Sequence, residues 1–220
     1  MIVAIDGPAG AGKSTVSRLL AERLGFRLID TGAMYRCVAL AAARAGVDLL
    51  DGRALGELAT SLDIDFAYLG GANRAYLDGH DVTDEIRTSA VSLAASQVSA
   101  HSAVREALVA RQRELGNLAS SVMEGRDIGT VVFPNADVKV FLTASLDERS
   151  RRRLAESNTA ELTPEQVAKE IADRDHRDSS RAVAPLRPAD DAVHIDTTGL
   201  TLHEVVQRVV ELVRTRQRLH

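Results

Sequence analysis

The chain has 220 residues, of which 45% are hydrophobic and 26% charged, and its net charge is −4. This length and composition are typical of one globular domain with a core of its own. The acidic balance and the lack of a long apolar run argue against a nucleic-acid or membrane partner. Cys37 is the only cysteine, so no intrachain disulfide can form, and we expect a cytoplasmic protein.

Short apolar runs recur along the chain and predict buried strands. Helical patterns separate most of these runs, and the runs themselves do not alternate between apolar and polar residues. Both features are typical of a parallel sheet that is covered by helices on its two faces, which is an α/β fold. The five predicted strands are Ile2–Ile5, Phe26–Ile29, Ser121–Met123, Val138–Leu142 and Ala192–Ile195.

Between the second and third strands the pattern changes. The segment Leu62–Ile86 holds two β-prone runs around glycine and asparagine, which predicts a hairpin or small antiparallel sheet inserted in the α/β core. The next stretch, Ala90–Leu115, has a helical pattern. Asn158–Thr163 is polar and reads as a loop, and Pro164 suits the first turn of a helix. Leu202–Leu219 predicts a C-terminal amphipathic helix.

A glycine-rich segment follows the first strand and opens a predicted helix at Ser14–Leu24. It fits the phosphate-binding pattern G-x-x-x-x-G-K-[ST], known as the P-loop. In such a loop the amides and the helix N-terminus hold phosphate oxygens, the lysine reaches the β and γ phosphates, and the hydroxyl can bind Mg²⁺. The residues that we expect to bind nucleotide here are Gly7, Pro8, Ala9, Gly10, Ala11, Gly12, Lys13, Ser14 and Thr15, with Ser14 as the candidate metal ligand.

A P-loop alone leaves the reaction open. A GTPase would also carry an Asn-Lys-x-Asp motif, but the chain has no Asn-Lys pair, so a GTPase is disfavoured. The segment Asp196–Gly199 fits the D-x-x-G pattern of GTPases, but it lies near the C-terminus. We interpret it as the end of the last strand and not as a GTPase motif. Nucleotide-binding kinases and a catalytically silent nucleotide-binding regulator both stay possible at this point.

Polar and basic residues follow the second and third strands. Thr31 and Arg36 come after the second strand, and Arg126 and Asp127 after the third. Because ligands of α/β proteins bind at the carboxyl ends of parallel strands, these residues could face a phosphorylated acceptor. A phosphate acceptor is already anionic near neutral pH and needs no general base, which fits an arginine-rich site.

Two further basic groups lie in the last third of the chain. Arg174, Asp178 and Arg181 share one helix face if the helix runs that far. The second group is Arg149, Arg151, Arg152 and Arg153. Taken alone, either group is better explained by a solvated surface, but two nucleotide phosphates brought together require dense positive charge.

Four segments in order along the chain resemble those of bacterial cytidylate kinases, which belong to the nucleoside monophosphate kinases. The resemblance covers nearly the whole chain, including the β-rich insertion. It implies transfer of the γ-phosphoryl group of ATP to CMP or dCMP with Mg²⁺. The four segments are the P-loop through Thr15, Asp30–Arg36, Glu124–Pro134 and Arg174–Leu186.

The resemblance also implies roles for particular residues. Thr31 would contact the sugar or base region and Tyr35 would pack on the base, while Ser96, Arg105 and Asp127 would recognise the cytosine edge. Asp178 would orient the ribose hydroxyls. The arginines around the phosphates would be Arg36, Arg126, Arg174 and Arg181, and those of a lid near ATP would be Arg149 and Arg153. Lys13, Arg126, Arg174 and Arg181 would be the catalytic residues.

The expected architecture is therefore a P-loop NTPase-type, five-stranded parallel sheet flanked by helices. Within a single kinase unit of residues 1–220 we expect a monophosphate-binding region at about 31–115, a β insertion at 62–86 and a short lid at about 150–166. The expected partners are ATP, CMP and dCMP, with no nucleic acid and no membrane, and the chain would act as a monomer. Another small-molecule kinase, such as an adenylate or shikimate kinase, is the alternative enzyme.

Overall fold

The computed structural model describes residues 1–69, 72–156 and 163–218. The chain divides into two compact units. The first unit comprises Met1–Phe26 and Ser121–His220, and the second comprises Arg27–Ser120. The predicted subdivision into a monophosphate-binding region and a lid stays a prediction, and residues 157–162 of that lid lie outside the described residues.

A five-stranded parallel sheet supports the P-loop. Its strands are β1 (Ile2–Asp6), β2 (Arg27–Asp30), β6 (Ser121–Gly125), β7 (Val138–Thr143) and β8 (Val193–Asp196), in the order β2-β6-β1-β7-β8. All five predicted strands are confirmed, with ends that differ by one or two residues. The central strand β1 pairs with β6 and β7 in parallel, and Val3, Ala4 and Ile5 are at most 1% exposed. Because these side chains are buried on both faces, the strand reads as an unbroken apolar run.

The described residues of the first unit, which hold every strand of this sheet except β2, also form four helices. They are α1 (Lys13–Leu24), α6 (Leu146–Glu156), α7 (Pro164–Ser180) and α8 (Leu202–Gln217), and a short π-helical turn, Ile128–Val132, follows β6. Thr163 caps α7 in a capping box with Gln166, and Pro164 occupies the first turn as predicted. Thr201 and Glu204 form the same box on α8, so side chains satisfy the first amides of both helices.

The second unit carries the small antiparallel sheet that the sequence predicts. Its strands are β3 (Ile64–Leu69), β4 (Ala72–Leu77) and β5 (His80–Asp81), and a 3₁₀ turn, Glu85–Arg87, follows them. The insertion at 62–86 is therefore β-rich as expected. The Gly70-Gly71 part of its predicted turn lies outside the described residues.

The described residues of the second unit also form four helices. They are α2 (Thr31–Ala45), α3 (Gly52–Ser61), α4 (Ser89–Val98) and α5 (Ser102–Asn117). The helical stretch predicted at Ala90–Leu115 is two helices, because the chain turns at Ser99–His101, where the His101 ring bonds the Leu49 carbonyl. Helices α3 and α5 approach closely: a Cβ atom added to Gly56 would lie 2.5 Å from Cβ of Ala103.

Small aliphatic side chains fill the interior of both units, as expected for a chain with no tryptophan and few other aromatic residues. Helix α2 shows this best, because ten of its residues are buried and four of those ten are alanines. In the part of the chain that the structure describes, no helix combines the length and the apolar character needed to cross a bilayer.

Candidate active site

The P-loop runs from the end of β1 to the start of α1, and its glycines are required by close packing. Gly7 and Gly10 have φ angles of 149° and 75°, a region that disfavours other residues. A Cβ at Gly7 would lie 2.1 Å from the Leu142 carbonyl oxygen. At Gly10 it would lie 2.9 Å from Cβ of Arg149. The loop therefore sits tightly between the end of β7 and the start of α6.

Lys13 is 7% exposed, and its Nζ donates a hydrogen bond to the Pro8 carbonyl over 2.7 Å. Burial lowers the pKa of this lysine well below its ordinary value, and the positive charges of Arg126 and Arg174 lower it further. The carboxylates of Glu124 and Asp178 act in the opposite direction. Two further predicted catalytic residues, Arg126 and Arg174, thus lie within electrostatic reach of Lys13.

Ser14 and Glu124 form the oxygen pair beside the P-loop. The Ser14 Oγ donates to Glu124 Oε2 over 2.8 Å, and Glu124 is 4% exposed at the end of β6. A hydroxyl and a carboxylate are ligands of the kind that Mg²⁺ uses when substrate phosphates and water complete its shell. Among the residues described, no group of three His, Cys, Asp or Glu side chains could hold a metal by itself.

Arg126 and Asp178 form an ion pair between the residue after β6 and the last turns of α7. Arg126 Nε donates to Asp178 Oδ2 over 2.8 Å, and the two side chains are 18% and 7% exposed. Burial alone would raise the pKa of Asp178, but Arg126, Arg174 and Arg181 together hold it below its ordinary value. Helix α7 ends at Ser180, and Arg181 follows as its C-cap residue. The Arg181 Nε donates a hydrogen bond to the Asp178 carbonyl.

Arg149 lies against the P-loop. Its guanidinium donates to the carbonyls of Ala9 and Ala144, each over 3.1 Å, and pairs with the Asp175 carboxylate on α7. Arg149 is 8% exposed, whereas Arg153, one turn further along α6, is exposed. The structure therefore separates the two arginines that were predicted together for ATP, although both roles stay predictions.

In the second unit, predicted acceptor residues lie on the first turns of α2. Thr31 begins the helix directly after β2, so no separate loop carries these residues. Asp30 caps the helix by accepting from the Ala33 amide over 2.8 Å, and its other oxygen accepts from Arg36 over 2.8 Å. One carboxylate thus fixes both the start of α2 and the Arg36 guanidinium.

Tyr35 and Arg105 lie together in the same unit. The Arg105 guanidinium carbon stands 5.6 Å from the centre of the Tyr35 ring, and Arg105 is only 3% exposed. This distance suits a cation–π contact. Ser96 is half-buried on α4, and its carbonyl accepts from the Ser99 hydroxyl.

A family model described as cytidylate kinase matches residues 3–215. The chain belongs to the cytidylate kinase family. Named cytidylate kinases agree: that of Geobacter sulfurreducens is 51% identical over 220 residues, with 99% of this chain and 94% of that protein covered. The one from Solibacter usitatus is 53% identical over 220 residues, covering 98% of this chain and 93% of that protein.

Solved structures support the fold of this cytidylate kinase family member. A shikimate kinase from Bacteroides thetaiotaomicron gives a TM-score of 0.51 at 16% identity, covering 97% of this chain and 98% of that chain. A gluconokinase from Sinorhizobium meliloti gives 0.50 at 16% identity, with 99% and 94% covered. At such identities the likeness shows the fold alone, which is the flanked five-stranded parallel sheet that the sequence predicts.

Some charged residues that hold the main chain or other side chains could not be singled out from the sequence. Asp6 bonds two amides of the π-helical turn, and Lys139 on β7 pairs with Asp191 over 2.8 Å. Asp175 holds Arg149. The sequence offered one signal: Asp6 ends the apolar strand β1 and Lys139 interrupts the apolar strand β7, and a buried charged residue needs a partner.

Proposed function

We propose that the chain transfers the γ-phosphoryl group of ATP to CMP or dCMP, giving ADP and CDP or dCDP. The observation that carries the proposal is that Arg126 and Arg174 lie close enough to Lys13 of the P-loop for their positive charges to lower its pKa. Membership of the cytidylate kinase family supports the choice of acceptor. The residue roles below rest on this geometry and on the resemblance.

The positive charges suit a reaction between two polyanions. Phosphoryl transfer needs alignment of the attacking oxygen with the γ phosphorus and neutralisation of charge on the equatorial oxygens. Lys13 and the P-loop amides would hold the phosphates of ATP, while Arg126, Arg174 and Arg181 would hold the acceptor phosphate and the transferred group. Arginine suits this role because its planar fork binds two phosphate oxygens at once.

The acceptor needs no base from the protein. The second pKa of a phosphomonoester is near 6, so its attacking oxygen already carries negative charge at neutral pH. The carboxylates of the site are instead engaged with cations or amides: Asp178 accepts from Arg126 and Asp6 accepts from the main chain. Their proposed roles are to position residues and, for Asp178, to orient the ribose hydroxyls.

Mg²⁺ is the cofactor we propose, held through the Ser14 hydroxyl with Glu124 beside it. When bound, the ion would supply positive charge that offsets the charge of the phosphates. Ser14 lies at the start of α1, next to Lys13, so the chain places its hydroxyl where the P-loop ends. Glu124 would hold the Ser14 hydroxyl by accepting its hydrogen bond.

Recognition of cytosine is proposed to fall to Ser96, Arg105 and Asp127, with Tyr35 packing on the base and Thr31 near the sugar. The cytosine amino group donates hydrogen bonds, so a carboxylate acceptor such as Asp127 suits it. Arg36, which Asp30 already orients, would bind the acceptor phosphate. Arg149 and Arg153 are proposed near ATP.

We further propose that the chain acts as a monomer in the cytoplasm, without nucleic-acid or membrane partners. Cys37 is buried, and burial raises the pKa of its thiol to about 12, so the thiolate form is scarce at neutral pH. A chain whose only cysteine is inert in this way suits a reducing compartment.

An assay of ADP release tests the function. Wild-type protein is given ATP, Mg²⁺ and, in separate reactions, CMP, dCMP, UMP, AMP or shikimate. We expect the highest kcat/KM with CMP or dCMP. Turnover of AMP or shikimate without CMP would replace the proposal with another small-molecule kinase, and tight ATP binding without turnover would indicate a regulator.

A further inference from the structure

Asp6 is a buried carboxylate at the last residue of β1, immediately before the P-loop. It is 5% exposed. Its Oδ1 accepts a hydrogen bond from the Ile128 amide over 2.9 Å, and its Oδ2 accepts from the Gly129 amide over 2.8 Å. One side chain therefore holds two consecutive amides that lie more than a hundred residues further along the chain.

Those two amides begin the π-helical turn that follows Asp127. The first amides of a helical turn have no partner inside it, and here Ile128 and Gly129 are both buried away from water. The Asp127 carbonyl accepts from Val131 and Val132, so the same turn closes on Asp127 itself. Asp6 thus fixes the main chain directly after Asp127 and two residues after Arg126.

The opposite side of the turn is also held. A Cβ added to Gly129 would lie 3.2 Å from Cδ of Lys139 and 3.4 Å from Oδ2 of Asp6. Lys139 cannot swing away freely, because its Nζ bonds both oxygens of Asp191 and the Pro134 carbonyl. Gly129 is therefore confined between a carboxylate and a lysine side chain that is fixed at its far end.

Stability alone does not explain a carboxylate at this position. Burial raises the pKa of Asp6 to about 6, and the two amide hydrogen bonds offset only part of that effect. Among the neighbouring charges, Asp127 raises the pKa further and Lys13 lowers it. An uncharged side chain would avoid the cost of burying this charge, but only a carboxylate offers two acceptor oxygens at this spacing.

We propose that Asp6 is a positioning residue for the acceptor subsite. By holding Ile128 and Gly129, it sets the place of Asp127 and Arg126 and so controls the affinity for the acceptor nucleotide. Asp6 directly precedes Gly7, the first residue of the P-loop. The same residue therefore connects the start of the P-loop to the turn that follows β6. This inference rests on the proposed function, because it takes Asp127 and Arg126 as acceptor-binding residues.

The test compares Asp6→Asn, Gly129→Ala and Asp137→Asn with the wild type. Asparagine keeps one acceptor oxygen but sets an amide donor against the second N–H. Gly129→Ala keeps the Asp6 carboxylate but places a methyl group against Asp6 and Lys139. Asp137→Asn is the matched control, since Asp137 accepts from the Ile2 amide at the opposite end of β1. KM for CMP, KM for ATP and kcat are measured for each folded variant.

We expect Asp6→Asn and Gly129→Ala to raise KM for CMP by about tenfold, with KM for ATP changed by less than about threefold. Asp137→Asn should leave both KM values near those of the wild type. The inference is overturned if KM for CMP stays unchanged in both site variants, or rises equally in Asp137→Asn. If the wild type itself does not use CMP, the proposed function fails instead, and the two failures are thereby distinguished.

Amide exchange gives a second readout that does not depend on turnover. In the wild type the Ile128 and Gly129 amides should exchange slowly, and in Asp6→Asn their exchange should accelerate more than that of the β1 amides. Uniform acceleration throughout the first unit would show general destabilisation and count against a positioning role. If Asp6→Asn does not fold, Gly129→Ala still tests the inference.

Discussion

Arg126 donates a hydrogen bond to Asp178 over 2.8 Å and so joins the residue after β6 to helix α7. Both side chains are largely buried, and Arg174 and Arg181 also act on the Asp178 charge. A buried carboxylate with several cations around it can be kept ionised where a lone one could not. The pair therefore fixes one predicted substrate-binding arginine, Arg126, against a carboxylate whose charge Arg174 and Arg181 also influence.

Breaking this pair from one side should be costly. Arg126→Ala or Asp178→Ala leaves a charged partner buried, and each should lower the free energy of unfolding by about 3 kcal/mol. The double variant should cost less than the sum of the two, because neither charge is then left behind. Urea unfolding of all four proteins gives the coupling energy. Arg53→Ala with Glu57→Ala, an exposed pair on α3, is the control and should show no measurable coupling.

Lys13→Ala should lose turnover by at least about 100-fold, because a single charged donor to the transition state is typically worth that much. The loss should appear mainly in kcat, measured at saturating ATP and CMP. Lys169→Ala, at an exposed position on α7, is the matched control and should keep wild-type kinetics. Full activity of Lys13→Ala would contradict the role of the P-loop.

Asp127→Ala should weaken the use of CMP more than the binding of ATP. Removing the partner of a buried donor costs about 1–3 kcal/mol, or roughly ten- to hundredfold in kcat/KM for CMP. Calorimetric titration of ATP should give a Kd close to that of the wild type. An unchanged kcat/KM for CMP would remove Asp127 from the recognition of cytosine.

The effect of Asp6 on stability should depend on pH in a defined direction. Its pKa is about 6 in the folded chain and has a reference value of 3.8, so the unfolded chain releases this proton first as pH rises. The stabilising contribution is complete below pH 3.8 and is lost as pH rises through 6. Relative to Asp6→Asn, the wild type should therefore lose roughly 1 kcal/mol between pH 5 and pH 7.5. Urea unfolding of both proteins at the two pH values measures this difference, and a difference of the opposite sign would contradict a raised pKa of Asp6 in the folded chain.

Local sequence patterns were enough to predict most of the fold. The strands could be predicted because buried parallel strands read as apolar runs, and the start of α7 because Thr163, Pro164 and Gln166 form a cap that is local in sequence. Helix α3 was not singled out, since Gly52 and Gly56 lower its helix propensity. Its signal was the cap: Asp51 accepts from the Arg53 and Ala54 amides.

The site was predictable only where a motif is contiguous. The P-loop could be recognised from eight consecutive residues. Arg149, in contrast, was assigned from the family resemblance, and the sequence could not show that it bonds Ala9 and Asp175. Asp6 and Lys139 act through partners that lie far along the chain, so no local spacing reveals them. Such contacts depend on how the strands are ordered, which is a property of the folded chain.

Gly56 on α3 faces Ala103 on α5 with less room than one methyl group. The Ala103 methyl group therefore packs directly on the main chain of Gly56, and this contact limits how closely the two helices approach. Any larger residue at position 56 would act as a wedge and force the helices apart, while Ala103→Gly would open a gap. Natural variation at this crossing should be narrow in both directions, even though neither residue touches a nucleotide in the proposed mechanism.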